Sequence, residues 1–145
     1  MKLISHRGNI DGRQPNLENK PEYILKAVNL GYECEIDVWF IGNKIYLGQD
    51  KEKKRMVEIN LNFLKNKKLW CHAKNIEALD LMKRNNVHCF WHEEDLVTIT
   101  SKGWIWCHPR LKIGRKHSIT VLPELHNTQT KSFSGICSDF ISKYR

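Results

Sequence analysis

Apolar and polar positions along this chain follow two periods, and the period changes where turn-forming residues stand. KLISH at 2–6 reads as a strand. Asn19-Lys20-Pro21 opens a helix, because proline suits the first helical turn, where its missing N–H is no loss. Tyr23, Ile24, Ala27, Val28 and Leu30 form its apolar stripe, and Gly31 ends it. ECEIDVWF follows as a strand, and Gly42-Asn43 turns it into NKIYLGQ, a second hairpin arm. A short helix near 60–66 leads to strand LWCHA at 69–73. Asn75 caps a helix through about residue 85, with Ile76, Leu79 and Met82 on its buried side.

Beyond this the spacing tightens. Strand-like runs start near 88 (HCFW), 104 (WIWC), 119 (ITVL) and 135 (GICS). The intervals are marginal for a helical crossover, which needs about a dozen residues. VTIT-SKG-WIWC can close as a hairpin, although short and mostly non-helical crossovers are the preferred reading. Alternation of strand and helix in the first half predicts a mainly parallel sheet, and the number of strands predicts closure. The expectation is a single domain over 1–145, a compact (β/α)8-like TIM barrel with several short or missing outer helices. An ordinary barrel of that type needs roughly 200 residues or more.

Composition narrows the setting. The chain is 41% hydrophobic and 10% aromatic, as in an ordinary globular domain. No run is long enough to span a bilayer, and MKLISHRGNI has no apolar signal core, so a cytoplasmic location is expected. The cysteines stand at 34, 71, 89, 107 and 137 without a CxxC pair, each within an apolar run. Cys71-His72 with Cys89-x2-His92 matches no familiar zinc spacing, so buried reduced thiols are the better reading. Lys plus Arg outnumber Asp plus Glu by 24 to 16, which favours anionic partners. The cations fall mostly in loops (KEKKR at 51–55, KNKK at 65–68, Arg110, Lys112, Arg115, Lys116) and read as a solvated surface. On net charge alone a basic nucleic-acid-binding protein is a rival reading, and it predicts steep salt dependence. Nothing in the pattern specifies an oligomeric state.

Chemistry concentrates at three strand ends. On strand 33–39, Cys34, Ile36 and Val38 share one face while Glu35 and Asp37 share the other. Paired acids on a strand covered on both sides need a positive partner, and a hard divalent cation fits two carboxylates plus water. An exposed, acid-decorated strand face is the alternative. In LWCHAK, His72 and Lys74 share a face; a lone strand histidine is more often structural, whereas a terminal lysine can hold an anionic oxygen. His6-Arg7-Gly8 joins a titratable imidazole, a phosphate-gripping guanidinium and a residue that lets the chain turn sharply. Trp39, Trp70, Trp91, Trp104 and Trp106 are core or rim more readily than a cage for a choline head group, and His88, His117 and His126 read as surface.

ISHRG, NLEN at 16–19, EIDVWF with its hairpin, and YLGQD at 46–50 resemble, in order and spacing, the opening half of the glycerophosphodiester phosphodiesterase family. The resemblance is strong over about residues 3–50 and looser beyond, where LWCHAK falls on a family ExK strand and GICSDF on the closing strand with its aspartate. It implies a (β/α)8 barrel and metal-dependent hydrolysis of a small phosphodiester, with Mg²⁺ or Ca²⁺ as cofactor and no stable nucleic-acid complex. It implies His6 as catalytic base, Arg7 and Lys74 as phosphate holders, and Glu35 and Asp37 as metal ligands. Glu18, Asn19 and Asp50 are supporting residues, and His72 stands where the family has a metal-binding glutamate. Gln49 occupies the position of the second catalytic histidine, and a neutral amide cannot protonate a leaving alkoxide. Three explanations follow: an inactive phosphate-ester binding relative, a substitute acid such as His92 or His108, or an artificial change at Gln49.

Overall fold

The computed structural model describes residues 1–51 and 55–145, so Glu52, Lys53 and Lys54 of the basic KEKKR run lie outside the described residues. The strands are β1 (Lys2–His6), β2 (Glu33–Ile41), β3 (Lys44–Leu47), β4 (Val57–Ile59), β5 (Leu69–Ala73), β6 (Cys89–Phe90), β7 (Val97–Ile99), β8 (Ile105–Cys107), β9 (Ser118–Val121) and β10 (Gly135–Ser138). The helices are α1 (Pro21–Asn29), α2 (Leu61–Leu64) and α3 (Ile76–Arg84). Pro21 does occupy the first turn of α1, and the Asn75 side chain accepts from Ala78 N–H to cap α3. Ile24 and Ala27 of α1 and Ala78 and Met82 of α3 face the sheet. Leu30 and Ile76, expected in the buried stripes, are 47% and 56% exposed because each falls at a helix terminus that has run past the sheet.

All the strands join one mixed sheet, which curls into a half-barrel. Strands β6, β5, β2, β1, β10, β9 and β8 run parallel in that order, while β3, β4 and β7 add antiparallel pairs. The expected (β/α)8 TIM barrel is therefore not the fold. Its alternation of strand and helix holds only as far as β6. The connections 108–117 and 122–134 carry no α-helix: the first, at ten residues, falls short of the dozen or so that a helical crossover needs, and the second holds only the 3₁₀ turn Pro123–Leu125. VTIT-SKG-WIWC forms a hairpin, β7 against β8, rather than a short crossover.

Strand alternation separates two layers. On the convex face, Cys34, Ile36 and Val38 of β2 pack with Cys71, Ala73 and residues of the helices in the largest apolar cluster. Ile4, Trp70, Phe90, Trp106, Ile119 and Cys137 form a second cluster on the concave face. Trp106 meets Phe90 at 4.6 Å and Trp70 at 5.6 Å between ring centroids, so aromatic rings bridge the curl from β5 and β6 to β8. The five cysteines are free and buried. Cys71 and Cys89 point into the convex core, while His72 and His92 stack on the other side, so no zinc set forms. Of the tryptophans, Trp70 and Trp106 belong to the core, at 1% and 3% exposed, and Trp39, Trp91 and Trp104 are half-buried. His88 is not a surface residue but packs on Trp70 at 4.3 Å and contacts the Thr100 hydroxyl at 2.9 Å. No helix among the described residues is long and apolar enough to cross a membrane.

Candidate functional site

The C-terminal ends of β1, β2, β5 and β10 meet above the aromatic layer. The chain leaves β1 through two left-handed residues, Arg7 at φ 57° and Gly8 at φ 93°. Only glycine fits the second position, since a Cβ there would lie 2.5 Å from Tyr23 Cδ1. The turn is sewn to β2: Arg7 N–H donates to the Glu35 carbonyl at 2.9 Å, and Asn19 N–H donates to the Arg7 carbonyl at 3.1 Å. Asn19 in turn clasps Asp37 on both sides, donating from Nδ2 to Oδ2 and accepting from its backbone N–H, each at 2.9 Å.

Glu35 and Asp37 project into this end and are 2% and 0% exposed. The positive partners demanded by their burial are present. Arg7 Nε lies 2.7 Å from Asp37 Oδ2, Lys74 Nζ lies 3.8 Å from Asp37 Oδ1, and His72 Nδ1 lies 3.3 Å from that same Oδ1 and 3.7 Å from Glu35 Oε1. Burial pushes the Asp37 carboxyl upward, but His72, Arg7 and Lys74 overcome it and hold Asp37 far below the usual carboxylate range. Glu35 goes the other way, raised by burial and then by the charge of Asp37 beside it. Two carboxyls on one strand face are thus driven apart, one firmly ionised and one ready to take up positive charge.

His6 stands across from them. Its Nδ1 lies 2.7 Å from Asp139 Oδ1, and its Nε2 lies 3.8 Å from Glu35 Oε2. Because a carboxylate only accepts, Nδ1 carries the proton in that contact and Nε2 is the free nitrogen. Burial by itself would lower the His6 pKa, yet the Asp139 bond and the Glu35 charge raise it above the ordinary value. Asn9 donates from Nδ2 to Asp139 Oδ1 at 2.8 Å and to Glu18 Oε1 at 3.0 Å, and Glu18 sits 3.5 Å from Arg7, so the first loop is a connected network.

Several observations fit a divalent cation here. Ligand atoms of Glu35, Asp37 and His72 all lie within 4.8 Å of one another. Glu35 Oε2 and Asp37 Oδ1 are buried without a hydrogen bond, with their ion-pair partners at 3.3–3.8 Å, so a bound ion would satisfy them more closely. His72 Nε2 lies 3.2 Å from the His92 carbonyl oxygen; donation to that acceptor turns Nδ1 toward the carboxylates, the usual second contact of a metal-binding histidine. Two oxygens and one nitrogen suit a hard or borderline divalent ion.

Of the residues named from sequence, His6, Arg7, Glu35, Asp37, His72 and Lys74 come together, with Glu18 and Asn19 behind them. Gln49 and Asp50 are exposed after β3. They line a cleft of about 480 Å³ together with Arg13, Glu18, Asn19 and Arg55. That cleft reaches the charged cluster only through Glu18 and Asn19, and a slightly larger cavity, about 510 Å³, beside α3 and β7 approaches it only through His92. His92 stacks on His72 at 4.9 Å, but burial and then the charges of His72 and Lys74 lower it to about 4. His108 is also lowered, by burial and Arg110. Asp139 and Asn9 were given no role from sequence. The position of Asp139 just past a parallel strand was a usable signal, while Asn9 lies in an ordinary-looking turn. Comparison with known proteins returns no match: no family model, no curated protein and no solved structure is similar to this chain.

Proposed function

We propose that the strand tips form a divalent-metal-dependent phosphodiester hydrolase site, of the glycerophosphodiester type that the motifs resemble. The single observation that carries this reading is the juxtaposition of His6, fixed by Asp139 at 2.7 Å, with the Glu35–Asp37–His72 group and the Arg7 and Lys74 cations. Arg7 and Lys74 are the groups that hold the phosphoryl oxygens, and their present contacts with Asp37 keep them aimed into the site. Glu35, Asp37 and His72 are the residues that would hold Mg²⁺ or Ca²⁺, whose chemistry is to neutralise charge on the phosphoryl oxygens. His6 Nε2 takes the proton from the attacking hydroxyl, which is water or a neighbouring hydroxyl of the substrate. Asp139 is a positioning residue: it sets the tautomer that leaves Nε2 free.

Gln49 favours a second reading, a phosphate-ester binding module without turnover. General acid catalysis typically supplies about 10²–10⁴ in rate, and the amide supplies none. The protein and its Gln49→His variant, incubated with glycerophosphodiesters with and without Mg²⁺ or Ca²⁺ and followed by phosphorus NMR, separate the readings. Turnover appearing or rising on the order of a hundredfold in the variant supports a hydrolase site lacking its acid. Ligand-induced shifts without turnover in either protein support the binding module. Absence of both metal binding and substrate shifts removes the site reading altogether.

A further inference from the structure

Because the seven core strands are parallel, their N-terminal ends also lie together, opposite the site described above. The segments leading into them are basic: β5 follows Lys65, Lys67 and Lys68, β8 follows Lys102, and β9 follows Arg115 and Lys116. All of these are exposed, and among the described residues none of them makes an ion pair. Glu33, the first residue of β2, is already taken by Lys2 Nζ and Trp70 Nε1–H, each at 2.5 Å. The acids Glu93, Glu94, Asp95, Glu124 and Asp139 instead follow the C-terminal ends of β6, β9 and β10. Exposed cations without an acidic partner thus gather at the strand-N-terminal end.

That end is shaped as well as charged. A cleft of about 410 Å³ runs between Lys65 and Lys67, the amides of Asn85 and Asn86, and Lys102, with His88 at its base. Its apolar members, Leu64 and Val87, are 1% and 3% exposed, so the cleft presents amides and ammonium groups and no protruding hydrocarbon. Next to it the exposed His117 ring meets Trp104 edge-on at 5.3 Å, and Lys2 Nζ lies 5.3 Å from the Trp104 ring. Cations along a groove with rings beside it suit a flexible polyanion whose bases can stack. An anionic bilayer would instead call for apolar side chains that enter the acyl boundary.

We propose that the strand-N-terminal end of this protein is a sequence-blind docking surface for single-stranded nucleic acid, held through its phosphates. The inference does not depend on the phosphodiester site, from which it is separated by the aromatic layer. The test is fluorescence anisotropy of labelled oligo-U and oligo-dT of about 15 nucleotides, titrated from about 50 to about 200 mM salt. The triple variant Lys65→Gln/Lys67→Gln/Lys102→Gln is expected to bind on the order of tenfold more weakly. Its salt slope should be shallower by about 2, since each lost single-strand phosphate contact removes about 0.7. The control Lys44→Gln/Lys51→Gln/Arg110→Gln removes the same charge from the opposite end and keeps the wild-type slope. Lys65→Arg/Lys67→Arg/Lys102→Arg keeps it too, which separates lost charge from lost fold. Tighter binding of one oligonucleotide than the other assigns RNA or DNA as the source of the phosphates. The proposal is overturned by equal losses in the two glutamine triples, by no binding at about 50 mM salt, or by binding to phosphatidylserine vesicles without binding to either oligonucleotide.

Discussion

The two ends of the same concave layer are built on opposite principles. Toward the strand N-termini the interior is filled by Trp70, Trp106, Phe90, Ile4 and Ile119, and the ion pair Lys2–Glu33 there sits partly in solvent. Toward the C-termini the same strands present Glu35, Asp37, His72 and His6, buried and incompletely hydrogen-bonded. Buried ion pairs rarely repay their desolvation, so the charged end costs stability that the aromatic end must supply. The difference teaches that a charged cluster which does not help the fold is held in place by a network that does.

Breaking the charged end should have the largest effect. Asp37→Ala leaves Arg7 and Lys74 without their common partner, and a loss of about 3–5 kcal/mol is expected in urea denaturation. Calorimetry should at the same time show no heat of Mg²⁺ or Ca²⁺ binding. A loss under about 1 kcal/mol would mean that solvent reaches the cluster, and the contrast between the ends would fail. Trp70→Phe tests the other end. Removing the indole N–H that donates to Glu33 should lower stability by about 1–3 kcal/mol while divalent binding stays intact. Altered divalent affinity in this variant would show that the two ends are not independent.

The subtlest contrast is with pH. His88, at the aromatic end, is lowered to about 4, chiefly by burial, so the fold favours its neutral form. Stability is therefore lost as pH falls from about 6.5 toward that value, and His88→Gln flattens this acid limb. His6 is raised, so its contribution is fully present below the unfolded value of about 6.5 and is lost as pH rises through the folded one. In metal-free protein His6→Gln flattens that upper limb of a melting-temperature profile. Parallel limbs in the two variants would contradict the opposite environments described for these rings.

Much of the site was legible before any coordinates. Alternation along ECEIDVWF placed Glu35 and Asp37 on one face and Cys34, Ile36 and Val38 on the other, and the structure has them so. The same rule put His72 and Lys74 together. The fold was less legible. Seven of the strands do run parallel, but short connections look alike whether they close a hairpin, as the five residues between β7 and β8 do, or lead to a parallel neighbour, as the ten before β9 do. The tryptophans and His88 were hard to assign because aromatic rings suit a core, a rim or a binding cage equally well.

By itself the chain determined its local matters: strand faces, the helix starts at Pro21 and after the Asn75 cap, and the identity of the acids, imidazoles and cations. Periodicity and capping are properties of neighbouring residues, so they can be read in order. The tertiary structure alone decided that Asp139 orients His6 across 133 positions and that Arg7 rather than Lys74 makes the closest contact with Asp37. Those outcomes depend on which strands become neighbours and in what register, which is set by the packing of the whole sheet.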